Sequence, residues 1–196
     1  MQDHIKNFNN EITMIYGEPA TGKTTIALMS AVNYCKNKKV VFIDTEKSFN
    51  LERFKQLGGN VQELDNVFVI RPVSFSDQLE KIESLNKIKN IGLIVVDSLG
   101  MKYRKEVREN YKEANDILHK QMKILNDFSK SIPVILTNQV SFKIESNKND
   151  ILGGDKLKNW CKKLIRLEKE PRRFIFEKPE SKQFLFNINE KGIQFL

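Results

Sequence analysis

Apolar residues occur along this chain either in short continuous runs or at a spacing of three and four positions. Continuous runs are typical of central parallel strands, which are covered on both faces, whereas the wider spacing is typical of helices with one buried face. The continuous runs predict five strands, at residues 12–16, 40–43, 67–70, 91–97 and 132–137. The spaced residues predict four helices, one beginning near Lys23 and three at residues 49–57, 79–88 and 107–128. This alternation predicts an α/β fold, in which helices flank a mainly parallel twisted sheet and right-handed crossovers join its strands.

The pattern changes after Gly153 and Gly154, where short strands with tight connections replace the alternation. These strands are expected at residues 164–167, 174–176 and 184–188. Tight connections join antiparallel neighbours, so we expect a C-terminal antiparallel extension of the same sheet. Because no linker or internal repeat divides the chain, residues 1–196 are expected to form a single domain.

The composition is that of an ordinary globular protein, with 40% hydrophobic and 30% charged residues. No apolar run approaches the roughly 20 residues that span a bilayer. The N-terminus is polar and lacks the apolar core of a signal peptide, so a cytoplasmic location without a membrane partner is expected. Cys35 and Cys161 fit no metal-ligand spacing and are expected to be reduced thiols.

The formal net charge of +8 raises the question of an anionic partner such as nucleic acid. Lysine is used heavily throughout the chain, and a lysine-rich solvated surface would give the same total. Charge alone therefore favours nucleic acid only slightly, and the position of the basic residues has to decide.

Residues 17–24 read G-E-P-A-T-G-K-T between a predicted strand and a predicted helix, which is the P-loop arrangement. Gly17 and Gly22 let the backbone curl so that successive N–H groups point at a phosphate, and the helix start adds the positive end of its dipole. Lys23 is expected to reach the β- and γ-phosphates of ATP, and Thr24 to bind Mg²⁺ through its hydroxyl. The alternative is a glycine-rich turn that merely joins strand to helix. The expected nucleotide-binding residues of the loop are Gly17, Glu18, Pro19, Ala20, Thr21, Gly22, Lys23, Thr24 and Thr25.

A P-loop needs a second acidic residue for the magnesium ion, and Asp97 ends the most apolar predicted strand, at the Walker B position. The alternative role for Asp97 is to cap the following turn. Ser98 follows it, whereas many P-loop ATPases have their general base there. The base is therefore expected from a neighbouring strand end, where Asp44 and Glu46 are the candidates.

Several segments resemble the recombinases of the RecA/RadA family. They are F-I-D-T-E at residues 42–46 with L-E-R at 51–53, and L-T-N-Q-V at 136–140. The Gly-Gly pair followed by L-I-R-L-E-K at residues 164–169 is most similar to the short archaeal RadB group of that family, and residues 186–193 resemble the last strand pair of the family as a whole. The resemblance covers the chain from about residue 12 onward, and it implies a RecA-like P-loop NTPase core.

The resemblance also implies roles for individual side chains. Glu46 is similar to the catalytic glutamate that polarises the attacking water, and Gln139 to the residue that senses the γ-phosphate and informs the DNA-binding loop. With Lys23, these two residues form the expected catalytic set. Arg53 is similar to an arginine that stacks on adenine. The alternatives are an ordinary strand-end amide for Gln139 and a solvated arginine on a helix for Arg53.

The chain also departs from the family pattern. Because eleven residues precede the first predicted strand, the helical DNA-binding domain and polymerisation linker of the full-length recombinases are expected to be absent. Lys47 occupies the position of the glycine that usually follows the family glutamate. The acidic-x-proline turn that caps a neighbour's ATP corresponds to residues 177–179, and the loop after it is shortened.

Two basic stretches occupy the positions of the family's DNA-binding loops. The first follows the Walker B strand and mixes cations with an aromatic ring, a combination that binds phosphates and stacks on bases. The second follows Gln139 and includes Lys143 and Lys148, while Trp160 beyond it is expected in the core. The alternative for both stretches is a solvated loop with incidental lysines. The DNA-contacting residues expected from the first stretch are Lys102, Tyr103, Arg104, Lys105 and Arg108.

These observations predict a single-domain RecA-like protein that binds ATP, Mg²⁺ and DNA and acts as an accessory or mediator of homologous recombination and repair. Weak ATPase activity is expected, with single-stranded DNA preferred and little dependence on its sequence. A RadA-type recombinase is the protein partner that the resemblance suggests. The alternatives are a regulatory ATPase of the RecA superfamily that does not bind DNA and a small-molecule P-loop kinase.

Overall fold

The computed structural model of the chain describes residue 5 and the segments 7–143 and 148–196. Between residues 141 and 150 the description covers backbone only. No helix within these segments is both long and apolar enough to cross a membrane.

The five apolar runs form the central part of the sheet, as predicted. All of their pairings are parallel, and four lie side by side in the order β1-β5-β4-β2, with β3 beyond β2 as the edge strand. β1, β2 and β4 are buried along almost their whole length, as expected of strands covered on both faces, whereas β3 at the edge is only partly buried. The strands are β1 (Ile12–Gly17), β2 (Lys39–Asp44), β3 (Val67–Ile70), β4 (Ile91–Asp97) and β5 (Val134–Lys143).

The C-terminal strands extend the sheet beyond β1, which confirms the predicted extension. β7 (Lys163–Lys169) pairs with β1 in parallel, and β8 (Arg172–Lys178), β9 (Lys182–Asn189) and β10 (Gly192–Phe195) follow as antiparallel neighbours. β6 (Lys148–Ile151) pairs antiparallel with the end of β5. The fold is therefore a mainly parallel sheet with an antiparallel end.

Helices cover both faces of this sheet, with two short 3₁₀ turns at Val61–Asn66 and Ser84–Lys87. The segment predicted as one helix over residues 107–128 is two helices that meet at Asn110. Asn110 has extended backbone angles, and its side chain accepts a hydrogen bond from the N–H of Glu113 at 3.2 Å, so it caps the second helix. The helices are α1 (Lys23–Tyr34), α2 (Leu51–Gln56), α3 (Phe75–Glu83), α4 (Leu99–Glu109), α5 (Tyr111–Ser129) and α6 (Gly154–Trp160).

The sheet separates two apolar clusters. α3, α4 and α5 pack on one face, where Phe75 and Met122 are among the buried side chains. α1, α2 and the β9–β10 hairpin pack on the other face, around Phe42 and Phe186. Trp160 is partly buried at the edge of the first cluster, in accord with the predicted core position, although it ends helix α6 rather than beginning a strand.

Cys35 and Cys161 are free thiols inside these clusters, as predicted. Burial raises the pKa of Cys35 to about 11 and that of Cys161 to about 12. Both therefore remain protonated near neutral pH and act as small apolar side chains.

The prediction that the ring of Tyr103 is exposed for base stacking was wrong, because Tyr103 lies on the buried face of α4. Its ring centroid is 5.6 Å from that of Phe75, and its hydroxyl donates to Asn115 Oδ1 at 3.2 Å. The aromatic side chain exposed on this surface is Tyr111, at the start of α5, with 66% of its surface accessible.

Tyr103→Ala should lower the free energy of unfolding by about 3–5 kcal/mol, because it removes a ring packed in the core. The matched variant Tyr111→Ala should change it by about 0.5 kcal/mol or less, because that ring is exposed. Urea denaturation of the two variants tests the assignment, and equal losses of stability would contradict it.

Candidate functional site

Two glycines allow the loop between β1 and α1 to approach its neighbours closely. A Cβ on Gly17 would lie 2.3 Å from the carbonyl oxygen of Leu167 in β7. Gly22 has a φ of 108°, and a Cβ there would lie 2.8 Å from Ile188 Cδ1 in β9. Because a side chain fits at neither position, the loop folds tightly against the C-terminal part of the sheet.

Lys23 is the cation of this loop, at the first position of α1, and is 8% exposed. Its ammonium group donates to the carbonyl oxygens of Gly17 at 2.9 Å and Glu18 at 2.7 Å. Burial lowers the pKa of Lys23, and the nearby carboxylates of Glu46 and Asp97 oppose that shift. The two hydrogen bonds to carbonyl oxygens hold the ammonium group of Lys23 inside the curved loop.

Asp97 lies at the end of β4 and is only 2% exposed. Its Oδ2 accepts hydrogen bonds from the hydroxyls of Thr24 at 2.9 Å and Ser48 at 2.7 Å, while its Oδ1 accepts one from Thr137. Burial raises the pKa of Asp97, and the hydrogen bonds from these three hydroxyls act in the opposite direction.

This group of donors fits Mg²⁺, which prefers carboxylate and hydroxyl oxygens. Thr24 and Asp97 would hold the ion, with Ser48 next to them. Within the described residues no three His, Cys, Asp or Glu side chains are grouped as a metal centre. A single carboxylate is expected where Mg²⁺ takes its remaining ligands from water and phosphate oxygens.

Glu46 lies beside this group, just after β2. Its Oε1 accepts hydrogen bonds from the hydroxyl of Ser98 at 2.5 Å and from Nε2 of Gln139 at 3.1 Å. The hydroxyl of Thr45 both donates to the carbonyl oxygen of Ser98 at 2.7 Å and accepts from its N–H at 2.9 Å. The ends of β2, β4 and β5 therefore fix the position of this carboxylate.

Asp44, the other candidate for the general base, is buried and stabilises the chain segment that follows β2. It is 1% exposed, accepts from the N–H groups of Ser48 at 2.8 Å and Phe49 at 3.2 Å, and pairs with Arg71 at 3.2 Å. These contacts use both of its oxygens to hold the segment that follows β2. Of the two carboxylates, Glu46 is the one that faces the cavity.

The P-loop and the strand ends enclose a cavity of about 260 Å³. It brings together side chains predicted from four separate segments of the sequence, and it adds Ile188, which sequence reasoning missed. The lining residues are Pro19, Ala20, Gly22, Lys23, Thr24, Thr25, Glu46, Asp97, Gln139 and Ile188. The similarity of residues 186–193 to the family's last strands was the available signal, but it did not place them at the loop.

Arg53 is not among the residues that line this cavity. Its guanidinium group donates to the carbonyl oxygens of Asn189 at 2.9 Å and Glu190 at 3.0 Å, between β9 and β10. It also donates to Gln56 on its own helix at 3.0 Å. Arg53 is thus attached to the β9–β10 hairpin.

The first basic stretch is helical rather than a loop, because residues 99–109 form α4. Arg104 and Arg108 are one turn apart, and Lys105 is exposed beside them. Lys102 donates to the carbonyl oxygen of Val73 at 3.3 Å. The side chains of Lys143 and Lys148 lie outside the described residues, although their backbones pair across β5 and β6.

Comparisons with known proteins show the family to which the chain belongs. The family model of the RecA N-terminal domain matches residues 8–178. A "DNA repair and recombination protein RadB" of Methanococcus maripaludis strain C7 is 37% identical, over 100% of this chain and 98% of that protein. The RadB of Methanoculleus marisnigri is 38% identical over 93% of this chain and 88% of that one. A solved structure described as "Crystal structure of the RadB recombinase" superposes with a TM-score of 0.79 and 34% identity, over 94% and 90% of the two chains. The chain therefore belongs to the RecA family and, within it, to the RadB group, as the sequence motifs predicted.

The two carboxylates after β2 should respond differently to neutralisation. Asp44→Asn should lower the free energy of unfolding by about 1–3 kcal/mol, because an amide cannot accept from all the donors around a buried carboxylate. Glu46→Gln should change it by about 0.5 kcal/mol or less, since its carbonyl can still accept from Ser98 and Gln139. Guanidinium denaturation of both variants tests this assignment. A larger destabilisation by Glu46→Gln would show that the two roles are reversed.

Proposed function

We propose that this RadB-type chain binds ATP with Mg²⁺, hydrolyses it slowly and binds DNA as an accessory protein of homologous recombination and repair. One observation carries the proposal: Lys23, Thr24, Asp97, Glu46 and Gln139 line a single cavity beside a P-loop. The relatives named DNA repair and recombination proteins RadB supply the biological setting. Neither rival, a regulatory ATPase without DNA and a small-molecule kinase, has a specific observation in its favour.

Nucleotide binding follows from the loop geometry. Gly22 and the first residues of α1 line the cavity, so the N–H groups at the N-terminus of this helix would be available to donate hydrogen bonds to a phosphate chain. Lys23 would exchange its backbone carbonyl partners for the β- and γ-phosphates, and Thr24 and Asp97 would hold the magnesium ion. When bound, the ion neutralises negative charge that develops on the phosphate oxygens.

Hydrolysis needs a base that orients water opposite the leaving phosphate. Glu46 is suited to this role because the hydroxyl of Ser98 and the amide of Gln139 fix one of its oxygens. The second oxygen has no such contact in the described structure, so it can accept a proton from water. Lys47 has a φ of 56° directly after Glu46, in the left-handed region that favours glycine. The presence of lysine where the family usually has glycine, next to the proposed base, agrees with the slow ATP turnover proposed for this chain.

The DNA surface combines the exposed side of α4 with the start of α5. Arg104, Lys105 and Arg108 supply cations, and Tyr111 replaces Tyr103 as the accessible ring. Lys102 and, beyond β5, Lys143 and Lys148 extend the same proposal. Contacts of this kind bind phosphates and stack on unpaired bases, so single-stranded DNA of any sequence is the preferred ligand.

A mediator role, with a RadA-type recombinase as partner, completes the proposal. It is supported by membership of the RadB group rather than by a contact seen in this chain. Co-purification of the two proteins, with and without an ATP analogue, would test it. A cytoplasmic location follows from the same role.

Glu46→Gln should slow ATP hydrolysis by about 10²–10⁴-fold and leave ATP affinity intact, because the general base is removed while the phosphate site remains. Lys23→Ala should instead abolish measurable ATP binding, because it removes the cation at the phosphates. Equilibrium binding and single-turnover hydrolysis measure the two effects, with Glu52→Gln on the exposed side of α2 as the control. Wild-type affinity in Lys23→Ala would contradict the P-loop assignment.

Arg104→Ala combined with Arg108→Ala should weaken single-stranded DNA binding and flatten its salt dependence. Each arginine that binds a phosphate should account for about 0.7 of the log–log slope, because its removal leaves one set of counterions on the DNA. Tyr111→Ala should weaken binding by about 1–3 kcal/mol without changing that slope, because stacking releases no counterions. Fluorescence anisotropy over a salt series distinguishes the two effects.

The matched control is Lys87→Ala with Lys89→Ala, which removes two exposed cations that precede β4, at the end of this strand opposite to α4. Its salt slope should equal that of the wild type. A wild-type chain without measurable DNA affinity at low salt, in the presence of an ATP analogue, would favour the regulatory ATPase.

A further inference from the structure

The helices α5 and α6 enclose a groove of about 240 Å³, the α5–α6 groove. Its floor is apolar, because it is formed by the buried side chains of Leu118, Met122 and Leu157. Among the described residues none lines both this groove and the nucleotide cavity, so the groove is a separate site. Its other lining residues are aromatic, polar or charged, namely Asn115, Asp116, His119, Lys156 and Trp160.

Two aromatic rings meet in the groove. His119 is exposed, Trp160 is partly buried, and their ring centroids are 5.5 Å apart at an interplanar angle of 63°. Trp160 thus lies beside the apolar floor with part of its surface accessible. A flat ligand with an apolar face can cover such a surface. Nucleobases have this shape, and they stack on aromatic side chains whatever the sequence of the strand.

The charges around the groove favour a nucleic acid strand as the source of that base. Lys156 is an exposed cation in the lining, and three more exposed lysines, Lys120, Lys123 and Lys162, follow lining residues closely along the chain. Cations at the rim of an apolar pocket suit the phosphates that precede and follow a bound base. An acidic peptide would satisfy the lysines as well, but it would bring its carboxylates close to Asp116.

Asp116 is exposed and is the acidic side chain among the described lining residues. An ionised carboxylate is an acceptor only, so it repels phosphate groups but accepts hydrogen bonds from N–H groups. Every nucleobase carries an N–H donor on its Watson–Crick edge, and pairing in a duplex occupies that edge. Asp116 therefore favours an unpaired base over duplex DNA.

The groove also continues the DNA surface proposed for α4 and the start of α5. Tyr111, the exposed ring of that surface, is followed by Asn115 and His119 at intervals of four residues, so the three lie along one side of α5. Each interval advances about 6 Å along the helix axis. A strand that stacks on Tyr111 can therefore extend along α5 and reach the groove.

We propose that the α5–α6 groove binds one unpaired base of a DNA strand whose phosphates lie on α4, with Trp160 as the stacking surface and Asp116 as the hydrogen-bond acceptor. The inference rests on the proposed function, namely that the chain binds single-stranded DNA. It adds a base pocket that lies outside both basic stretches.

The fluorescence of Trp160 reports directly on the groove, because it is the only tryptophan of the chain. Oligothymidine should quench this fluorescence, since a stacked base contacts the indole ring. An abasic oligonucleotide of the same length keeps the phosphates and lacks the bases, so it should bind without quenching. Fluorescence anisotropy of labelled oligonucleotides, in separate samples, measures the binding of each strand independently.

The outcomes separate this inference from the proposed function. Equal quenching by both strands would overturn the base pocket. Binding of oligothymidine without quenching would also overturn it, and would favour a peptide as the occupant of the groove. A wild-type chain that binds neither strand would refute the proposed DNA binding and the base pocket together.

Variants of the two assigned side chains test their roles by affinity. Trp160→Leu should weaken oligothymidine binding about tenfold, a typical loss for one stacked base, and leave binding of the abasic strand unchanged. Trp160→Phe keeps a ring in place and should retain most of the affinity, which distinguishes stacking from a loss of folding.

Asp116→Ala should lower the ratio of oligothymidine affinity to abasic affinity about fivefold, because one hydrogen bond to the base is lost. Asp127→Ala is the matched control, since it removes an exposed carboxylate from the other end of α5 and should not change this ratio. Wild-type ratios in both Trp160→Leu and Asp116→Ala would overturn the proposal.

Discussion

The site depends on the burial of one carboxylate, that of Asp97. A buried carboxylate is costly unless hydrogen bonds replace its hydration. Here three hydroxyls replace it, and they come from α1, from the segment after β2 and from β5, at Thr24, Ser48 and Thr137. The carboxylate of Asp97 therefore receives its hydrogen bonds only when the P-loop helix and the ends of the neighbouring strands meet. The hydroxyls that donate hydrogen bonds to Asp97 also lie where their oxygens, together with the carboxylate, could bind a cation.

The features predicted correctly from the sequence depend on local physics. Gly17, Gly22 and Lys23 lie in one loop whose spacing reflects backbone geometry, and Asp97 follows a continuously apolar strand. The apolar runs also predicted the parallel pairing in the sheet, because a strand covered on both faces needs such residues throughout. The family resemblance also selected Glu46 and Gln139 as candidates, and the structure brings them into contact across 93 positions, which no local pattern could reveal.

The features that were missed depend on tertiary contacts. Tyr103 has a basic neighbour on each side, which suggested an exposed ring, yet helical geometry turns the ring inward, whereas Lys102 and Arg104 are only partly buried. The break at Asn110 was hidden because the apolar spacing continues through it into the next helix. Ile188 was missed for a further reason: its role depends on where a hairpin lies relative to Gly22, and the strand pattern alone carries no such information.

The proposed nucleotide cavity and the proposed DNA surface meet at two consecutive residues of β5. Gln139 contacts the carboxylate of Glu46, while the side chain of Asn138 donates to the carbonyl oxygen of Leu152 at 2.8 Å, just beyond β6. Asn138 also fits closely against Gly100 at the start of α4, where an added Cβ would lie 2.3 Å from its amide oxygen. A shift of Glu46 on binding or releasing a phosphate would therefore be transmitted to β5, since packed interiors leave little room for independent movement. Both candidate DNA segments contact Asn138, so the proposed ATP site and the proposed DNA surface share one strand end.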